Sequence, residues 1–307
     1  MKDNLIKEAY ISAFNIEDKS LKDIMIINTK SLVDDKTQRY VYIDSNRLRD
    51  ELIYHRYYGE EFKYEDILNM ILPLSLANTN LQKGEDEVVD MMSKYIKFFK
   101  KDNNKFQIIL GAIMYNSMIH DLIENTKIEY RDLLQNTKER IIGFSMELEK
   151  IETIKFQMER IKIMQIIDNY IELELEKNKD TNIITRLLDI IYQIYIEDDE
   201  CINDGMISIK KTISSILGEK HEHNIENIEF INSMSEYIVR LRSYKINKKL
   251  YNQKSDPRYL INLNEGDSNL DPVLNQITVI SKEFIDNVLN VSVKSKSGIY
   301  TLKFKKS

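Results

Sequence analysis

The longest nearly unbroken apolar run in the chain is Phe106–Glu124, and it limits the folds that the sequence can adopt. Only its second half has a polar edge, whose side chains recur at intervals of three or four residues, so on a helix they form one narrow stripe. They are Asn116, Ser117, His120, Asp121 and Glu124. A helix that is apolar on nearly every side needs other helices around it. The run therefore predicts a central bundle helix, with Gly111 and Ala112 where a neighbouring helix comes close.

Residues that break helices are scarce, with eight glycines and three prolines in 307 residues. A sandwich or barrel needs a turn every ~8–12 residues, so this scarcity favours long helices. One proline, Pro73, lies inside the apolar segment that follows Tyr64 and predicts a kink or break there. The predicted fold class is mainly α: a multi-helix orthogonal bundle with a small C-terminal antiparallel β-meander.

The evidence for the meander is a change in apolar spacing from helical to alternating near the C-terminus. Two series alternate with polar residues: Leu289, Val291 and Val293, then Tyr300, Leu302 and Phe304. A turn at 296–298 separates them, and 277–284 predicts a third strand. Three strands bury too little to be stable alone, so we expect the sheet to pack on the bundle or on a partner.

These patterns divide the chain into three parts. Residues 1–254 form the predicted helical domain. Residues 255–275 form a connector rich in Asp, Asn, Gly and Ser, which contains Pro257 and Pro272. Residues 276–307 form the predicted three-stranded β element.

Charge is distributed unevenly along the chain. The net charge is −6, but the residues from Ile277 onward carry six lysines against two acids. The acidic body argues against binding of a phosphate backbone as the main activity. The lysines at the C-terminal end could contact an acidic partner or a membrane, or protect a solvated sheet edge.

Compartment and membrane signals are weak. The single cysteine, Cys201, excludes an intrachain disulfide and a cysteine-based zinc site, and it fits a reducing cytosol. The N-terminus has no apolar signal core, and no stretch reaches ~18 uninterrupted apolar residues. We therefore expect a cytoplasmic protein without a membrane span.

Aromatic and methionine-rich segments are interpreted as packing. The segment 152–177 carries Met and Ile at helical spacing and predicts a core-facing stripe. Tyr54, Tyr57 and Tyr58 could frame a surface on which a ligand stacks, although tyrosines at this spacing are commonly half-buried packing residues.

Two acidic clusters are the candidate metal site. Asp34 and Asp35 are followed by Thr37, and Asp198, Asp199 and Glu200 form the second cluster with Asp204. Hard cations such as Mg²⁺ take oxygen ligands, and two such ions can activate a water for hydrolysis. The alternative is that both clusters are solvated surface or helix caps.

The histidines and known motifs give little evidence for catalysis. His120 lies on the polar edge of the central run, and His55 is in an aromatic segment. A buried structural role explains a histidine in such places as well as a catalytic role does. His221 and His223 alternate in a polar loop. The sequence has no GxGxxG, Walker, GxSxG, HExxH or CxxC motif, which argues against the common nucleotide-binding and protease classes.

Residues 71–124, ILPLSLANTNLQKGEDEVVDMMSKYIKFFKKDNNKFQIILGAIMYNSMIHDLIE, resemble the middle of the ADP-ribosylglycohydrolase family. That family is all-α and uses a pair of Mg²⁺ ions to cleave ADP-ribose from modified side chains. Its Asp-Asp-Thr metal motif would correspond to Asp34, Asp35 and Thr37, interrupted by Lys36. Its Asp-x-Asp-Thr would correspond to Asp198 and Asp199 without the threonine, and its N-terminal Gly-Asp-x-x-Gly has no counterpart. The resemblance implies a divergent member with degenerate catalysis that acts by binding a ligand or partner.

A second hypothesis comes from a different class of protein. The helical body would be a scaffold, and residues 276–307 would dock a protein partner by strand addition. Neither hypothesis includes a nucleic-acid partner.

Overall fold

We describe the protein from a computed structural model. The structure describes residues 2–59, 62–100, 102–174, 182–197, 203–222, 224–246 and 251–305.

The described part of the chain is mainly helical. The α-helices are α1 (Lys2–Ala13), α2 (Lys19–Ser31), α3 (Ser45–Tyr58), α4 (Leu72–Ala77), α5 (Leu81–Phe99), α6 (Lys105–Glu124), α7 (Tyr130–Gly143), α8 (Lys150–Ile171), α9 (Ile183–Tyr195), α10 (Asp204–Ile216) and α11 (Ile228–Arg242). Short 3-10 segments cover Tyr64–Ile71, Asp102–Asn104 and Pro257–Asn262.

Two antiparallel sheets complete the fold. The small one pairs β1 (Leu32–Asp35) with β2 (Tyr40–Ile43). The C-terminal sheet contains β3 (Ser268–Asp271), β4 (Asn275–Ile285), β5 (Val288–Ser295) and β6 (Gly298–Lys305), in that spatial order. The predicted fold class, mainly α with a C-terminal antiparallel meander, is confirmed. The structure adds β3, a strand from the segment that the sequence suggested was a connector.

Helix α6 is the central helix that the apolar run predicts. It contacts α5, α7, α8 and α9 and is buried along nearly its whole length. A Cβ on Gly111 would lie 3.0 Å from Cδ1 of Ile184, so the missing side chain allows α9 to approach closely. In the described part of the chain, α6 is the one helix long and apolar enough to cross a membrane, and 89% of its apolar window is buried inside the fold.

Pro73 marks the break that the sequence predicts. The segment Tyr64–Ile71 is a 3-10 helix, and α4 begins at Leu72 with Pro73 in its first turn. At that position a proline costs little, because the first N–H groups of a helix have no partner within it.

The C-terminal sheet packs on α3 and forms a second hydrophobic core. The ring of Tyr58 stacks on Tyr300 with centroids 5.0 Å apart, and Tyr57 meets Phe304 at 5.1 Å. Tyr54 is fully buried in the same cluster. The three tyrosines of α3 are therefore packing residues that hold the sheet. Of the two roles that the sequence allowed, ligand stacking and packing, the structure shows packing.

Buried ion pairs fix the turn between β3 and β4 to the helices. Arg47 donates to Glu51 at 2.9 Å and to the carbonyl oxygens of Pro272 and Val273, both at 2.6 Å. Lys30 also pairs with Glu51, at 2.6 Å. Because Lys30, Arg47 and Glu51 are almost fully removed from water, these contacts must form together for any of the charges to be stable there.

Two buried histidines make the stability of this fold dependent on pH. Burial lowers the pKa of His55 to about 4, and burial together with the positive Arg242 lowers the pKa of His120 to about 4. The unfolded imidazoles bind protons near pH 6.5, whereas the folded ones stay neutral until about pH 4. The unfolded state therefore gains protons first as the pH falls, and the fold loses stability between these two values.

We expect each histidine to cost about 2 kcal/mol of stability on going from pH 7.5 to pH 5. Urea unfolding across that range measures the loss, and His55→Gln with His120→Gln should flatten the pH dependence. The same slope in the double variant and the natural chain would contradict this explanation.

Candidate protein-interaction surface

Helix α8 has two apolar faces, of which one belongs to the core. Phe156, Ile163, Ile167 and Tyr170 are buried. The ring of Phe156 makes edge contacts with Phe106 at 5.6 Å and with Phe144 at 6.1 Å. This face anchors α8 on α6 and on the segment that follows α7.

The second apolar face of α8 is exposed to solvent. It consists of Ile151 (70% exposed), Ile154 (55%), Met158 (57%) and Ile161 (54%), which we name the α8 stripe. The members are three, four and three residues apart, which aligns them along three turns on the side of the helix opposite Phe156 and Ile163. Single exposed apolar residues are common on soluble proteins, whereas the α8 stripe places four of them in one row.

Lysines border the α8 stripe on both sides. Lys155 and Lys162 lie along one side, with side chains 62% and 64% exposed, and Lys150 lies on the other. Lys155 pairs with Glu152 at 2.9 Å, and Lys162 pairs with Glu159 at 3.6 Å. Both glutamates are less exposed than the lysines, so the lysine of each ion pair forms the outermost part of the border.

A cavity of about 1150 Å³ lies beside the stripe, between the N-terminal end of α6 and helices α8 and α9. Met158 lines it together with Lys155 and Lys162, so the stripe forms one rim of this opening. The rest of the lining is mostly polar and includes Gln107, Asn169 and Asp189.

The sequence interpretation of α8 is correct for one face and wrong for the other. The methionine- and isoleucine-rich segment 152–177 does place Phe156 and Ile163 in the core, but Ile154, Met158 and Ile161 point to solvent. The signal that could have revealed this is present in the sequence. The segment has two apolar series offset by about half a turn, more than one core-facing stripe can hold.

The predicted metal residues of the first acidic cluster occupy a strand and a turn. Asp34 is buried in β1, where its Oδ2 accepts the N–H of Ile246 at 3.0 Å. Asp35 Oδ1 accepts the N–H groups of Thr37 and Gln38, both at 2.8 Å. Thr37 thus contributes its backbone, and the cluster closes the turn between β1 and β2.

In the second acidic cluster, Asp198, Asp199 and Glu200 lie outside the described residues. Asp204 is described, and its Oδ2 accepts the N–H groups of Glu17, at 3.1 Å, and Asp18, at 2.5 Å. Within the described ranges, no group of three or more His, Cys, Asp or Glu side chains is placed to hold a metal ion. The Mg²⁺ site that combines both clusters therefore stays a prediction.

The polar stripe of α6 is buried at Asn116, Ser117 and His120 and becomes exposed at Glu124. Ser75 donates to Asn116 Oδ1 at 2.7 Å, and His120 is 6% exposed. Glu124 forms an exposed ion pair with Lys2 at 2.8 Å. Both ends of α6 reach water, since Lys105 and Gln107 in its first turn are also partly exposed.

Comparison with known proteins gives limited similarity. No family model matches the chain, and no solved structure does. The chain is 21% identical over 295 residues to reticulocyte-binding protein homolog 1 from Plasmodium falciparum (isolate 3D7), a match that covers 88% of this chain. The match spans 10% of the length of that protein. At this identity the similarity assigns the chain to no family.

Proposed function

We propose that this chain is a protein-interaction module and that its α8 stripe receives the partner. The observation that carries the proposal is a row of four large apolar side chains in water on the side of α8 turned away from the core. Full burial of one such side chain contributes about 1.5–3 kcal/mol, so covering the stripe can supply much of a binding free energy. Each of the four side chains is more than half exposed, so the stripe buries little apolar surface within the described fold.

The similarity to the Plasmodium protein supports the same class of function. Its name describes a binding protein, and the match runs over 88% of this chain. The glycohydrolase hypothesis has less support, because the Asp35–Thr37 contacts belong to a turn. A degenerate enzyme that acts by binding a partner is compatible with the proposal.

For strand addition at β6, the C-terminal sheet is less suitable than α8 as a docking surface. Its inner face already packs on α3, and the edge strand β6 carries Lys303 and Lys305, which oppose strand addition. Deleting residues 276–307 would also expose Tyr54 and Tyr58. A loss of binding in the deleted protein would therefore reflect unfolding and would not identify the sheet as the docking surface.

Site-specific photo-crosslinking tests the proposal. We expect a benzophenone side chain at Met158 to form an adduct with another protein in extracts of the cells that produce this chain natively. The matched control is Ile299 on β6, which is 55% exposed and far along the chain from α8. An adduct at Met158 that is missing at Ile299 supports the proposal, once mass spectrometry identifies the same protein in repeated experiments. No adduct at Met158, or equal adducts at both positions, would contradict it.

A further inference from the structure

The spacing of the α8 stripe indicates the shape of its partner. Apolar residues spaced three, four and three apart are typical of the seam between two packed helices. The seam is the row of side chains of one helix that fit between those of the other. The stripe from Ile151 to Ile161 is about 16 Å long at the usual helical rise. A partner helix of three to four turns covers that length.

The border of the stripe indicates the charge of the partner. In a pair of helices, the residues that flank one seam lie opposite the residues that flank the other. The charged flanking residues here are Lys150, Lys155 and Lys162, and the side chains of the last two are more exposed than the glutamates they pair with. From this complementarity we propose that the occupant is an amphipathic helix of another protein whose apolar seam is bordered by Glu and Asp. The inference rests on the proposed function.

A second copy of this chain fits the stripe poorly. In a parallel pair Lys150 would lie opposite Lys155 of the other copy, and in an antiparallel pair Lys155 would lie near Lys162. Like charges in these positions destabilise the pair. The lysines therefore select against self-association.

A membrane surface also fits less well than a helix. The chain has a net charge of −6, so anionic lipid repels the protein as a whole. The exposed Glu147 and Glu149 precede the stripe and would meet the same lipid surface. The row contains no aromatic residue of the kind that anchors helices at a bilayer interface.

Two synthetic peptides and the full chain test the inference. Both peptides carry leucines at the matching seam positions; one has Glu at every flanking position and the other has Lys. Fluorescence anisotropy at about 50 mM salt, where charges are weakly screened, should show the acidic peptide binding about tenfold more tightly. Lys155→Glu with Lys162→Glu should reverse the preference. The matched variant, Lys127→Glu with Lys305→Glu, changes two exposed lysines elsewhere and should leave the preference unchanged.

Several results would overturn the inference. Equal affinity for the two peptides would show that the lysines do not select the partner. A stable dimer in light scattering, or flotation of the chain with anionic vesicles, would replace the proposed occupant with a second copy or a lipid surface. If neither peptide binds while Met158 still crosslinks to a protein, the partner class is wrong and the interaction function stands. If both experiments fail, the proposed function fails too.

Discussion

Replacing Asp271 with alanine is expected to lower the free energy of unfolding by about 3–5 kcal/mol, because several buried donors lose their acceptor together. The Asp271 carboxylate is 1% exposed. Its Oδ2 accepts the hydroxyls of Tyr54 at 2.5 Å and Tyr259 at 2.7 Å. Its Oδ1 accepts the N–H groups of Val273 at 2.7 Å and Leu274 at 2.6 Å.

These contacts join three parts of the molecule. Tyr54 belongs to α3, Tyr259 to the 3-10 segment before the sheet, and Val273 and Leu274 to the turn between β3 and β4. Burial and the adjacent Asp271 carboxylate raise the pKa of the Tyr54 hydroxyl well above its usual range, so this group remains a donor at all ordinary pH values. Asp271→Ala would therefore loosen the C-terminal sheet from α3.

Urea unfolding followed by circular dichroism and tyrosine fluorescence measures this effect; the chain has 18 tyrosines and no tryptophan. The matched control is Asp256→Ala. Asp256 lies in the same connector, and its main side-chain partner is the exposed Arg258, so its loss should cost less than about 1 kcal/mol. Equal stability of Asp271→Ala and the natural chain would show that the carboxylate does not hold the sheet.

The parts of the fold visible in the sequence are those set by local patterns. The apolar run of α6 requires surrounding helices, and the alternation at Leu289–Val293 requires a strand. Neither requirement depends on residues elsewhere in the chain. The position of Pro73 limits the helix around it in the same local way.

The contacts that hold the sheet depend on residues far apart in the chain, and no local pattern reveals them. Arg47 and Pro272 are separated by 225 residues, and Tyr54 and Asp271 by 217. The short strand β3 also depends on such contacts, since its turn is fixed by Asp271 and by Arg47. A local composition rich in Asp and Asn therefore suggested only a connector.

The candidate site could be predicted only in part. Helical spacing identifies Met158 as a member of an apolar series, but does not say which of two series on α8 faces the core. That choice depends on where Phe106 and Phe144 lie, because their rings enclose Phe156. In the first acidic cluster, the spacing of Asp35 and Thr37 suits a turn as well as a metal site, and the structure uses it for a turn.

The second substitution with a large expected effect tests the difference between the two faces of α8. The double variant Ile154→Asp with Met158→Asp is expected to weaken partner binding about 100-fold. The reason is that two apolar contacts are lost and that two carboxylates enter an apolar contact, where they lose hydration. The same variant should change the free energy of unfolding by less than about 1 kcal/mol, because both side chains are more than half exposed.

Phe156→Ala is the contrasting variant on the buried face. Its ring is 2% exposed and packs between Phe106 and Phe144, so its loss should cost about 3–5 kcal/mol. A similar cost for the Asp double variant would mean that the α8 stripe is part of the core.

The most direct test of the interaction function compares the natural chain with the Ile154→Asp/Met158→Asp variant in one measurement series. The partner identified by crosslinking at Met158 is titrated against both proteins, and both are unfolded in urea. The proposal predicts an affinity about 100-fold lower for the variant and an unchanged unfolding midpoint. Equal affinity of the two proteins for that partner would contradict it.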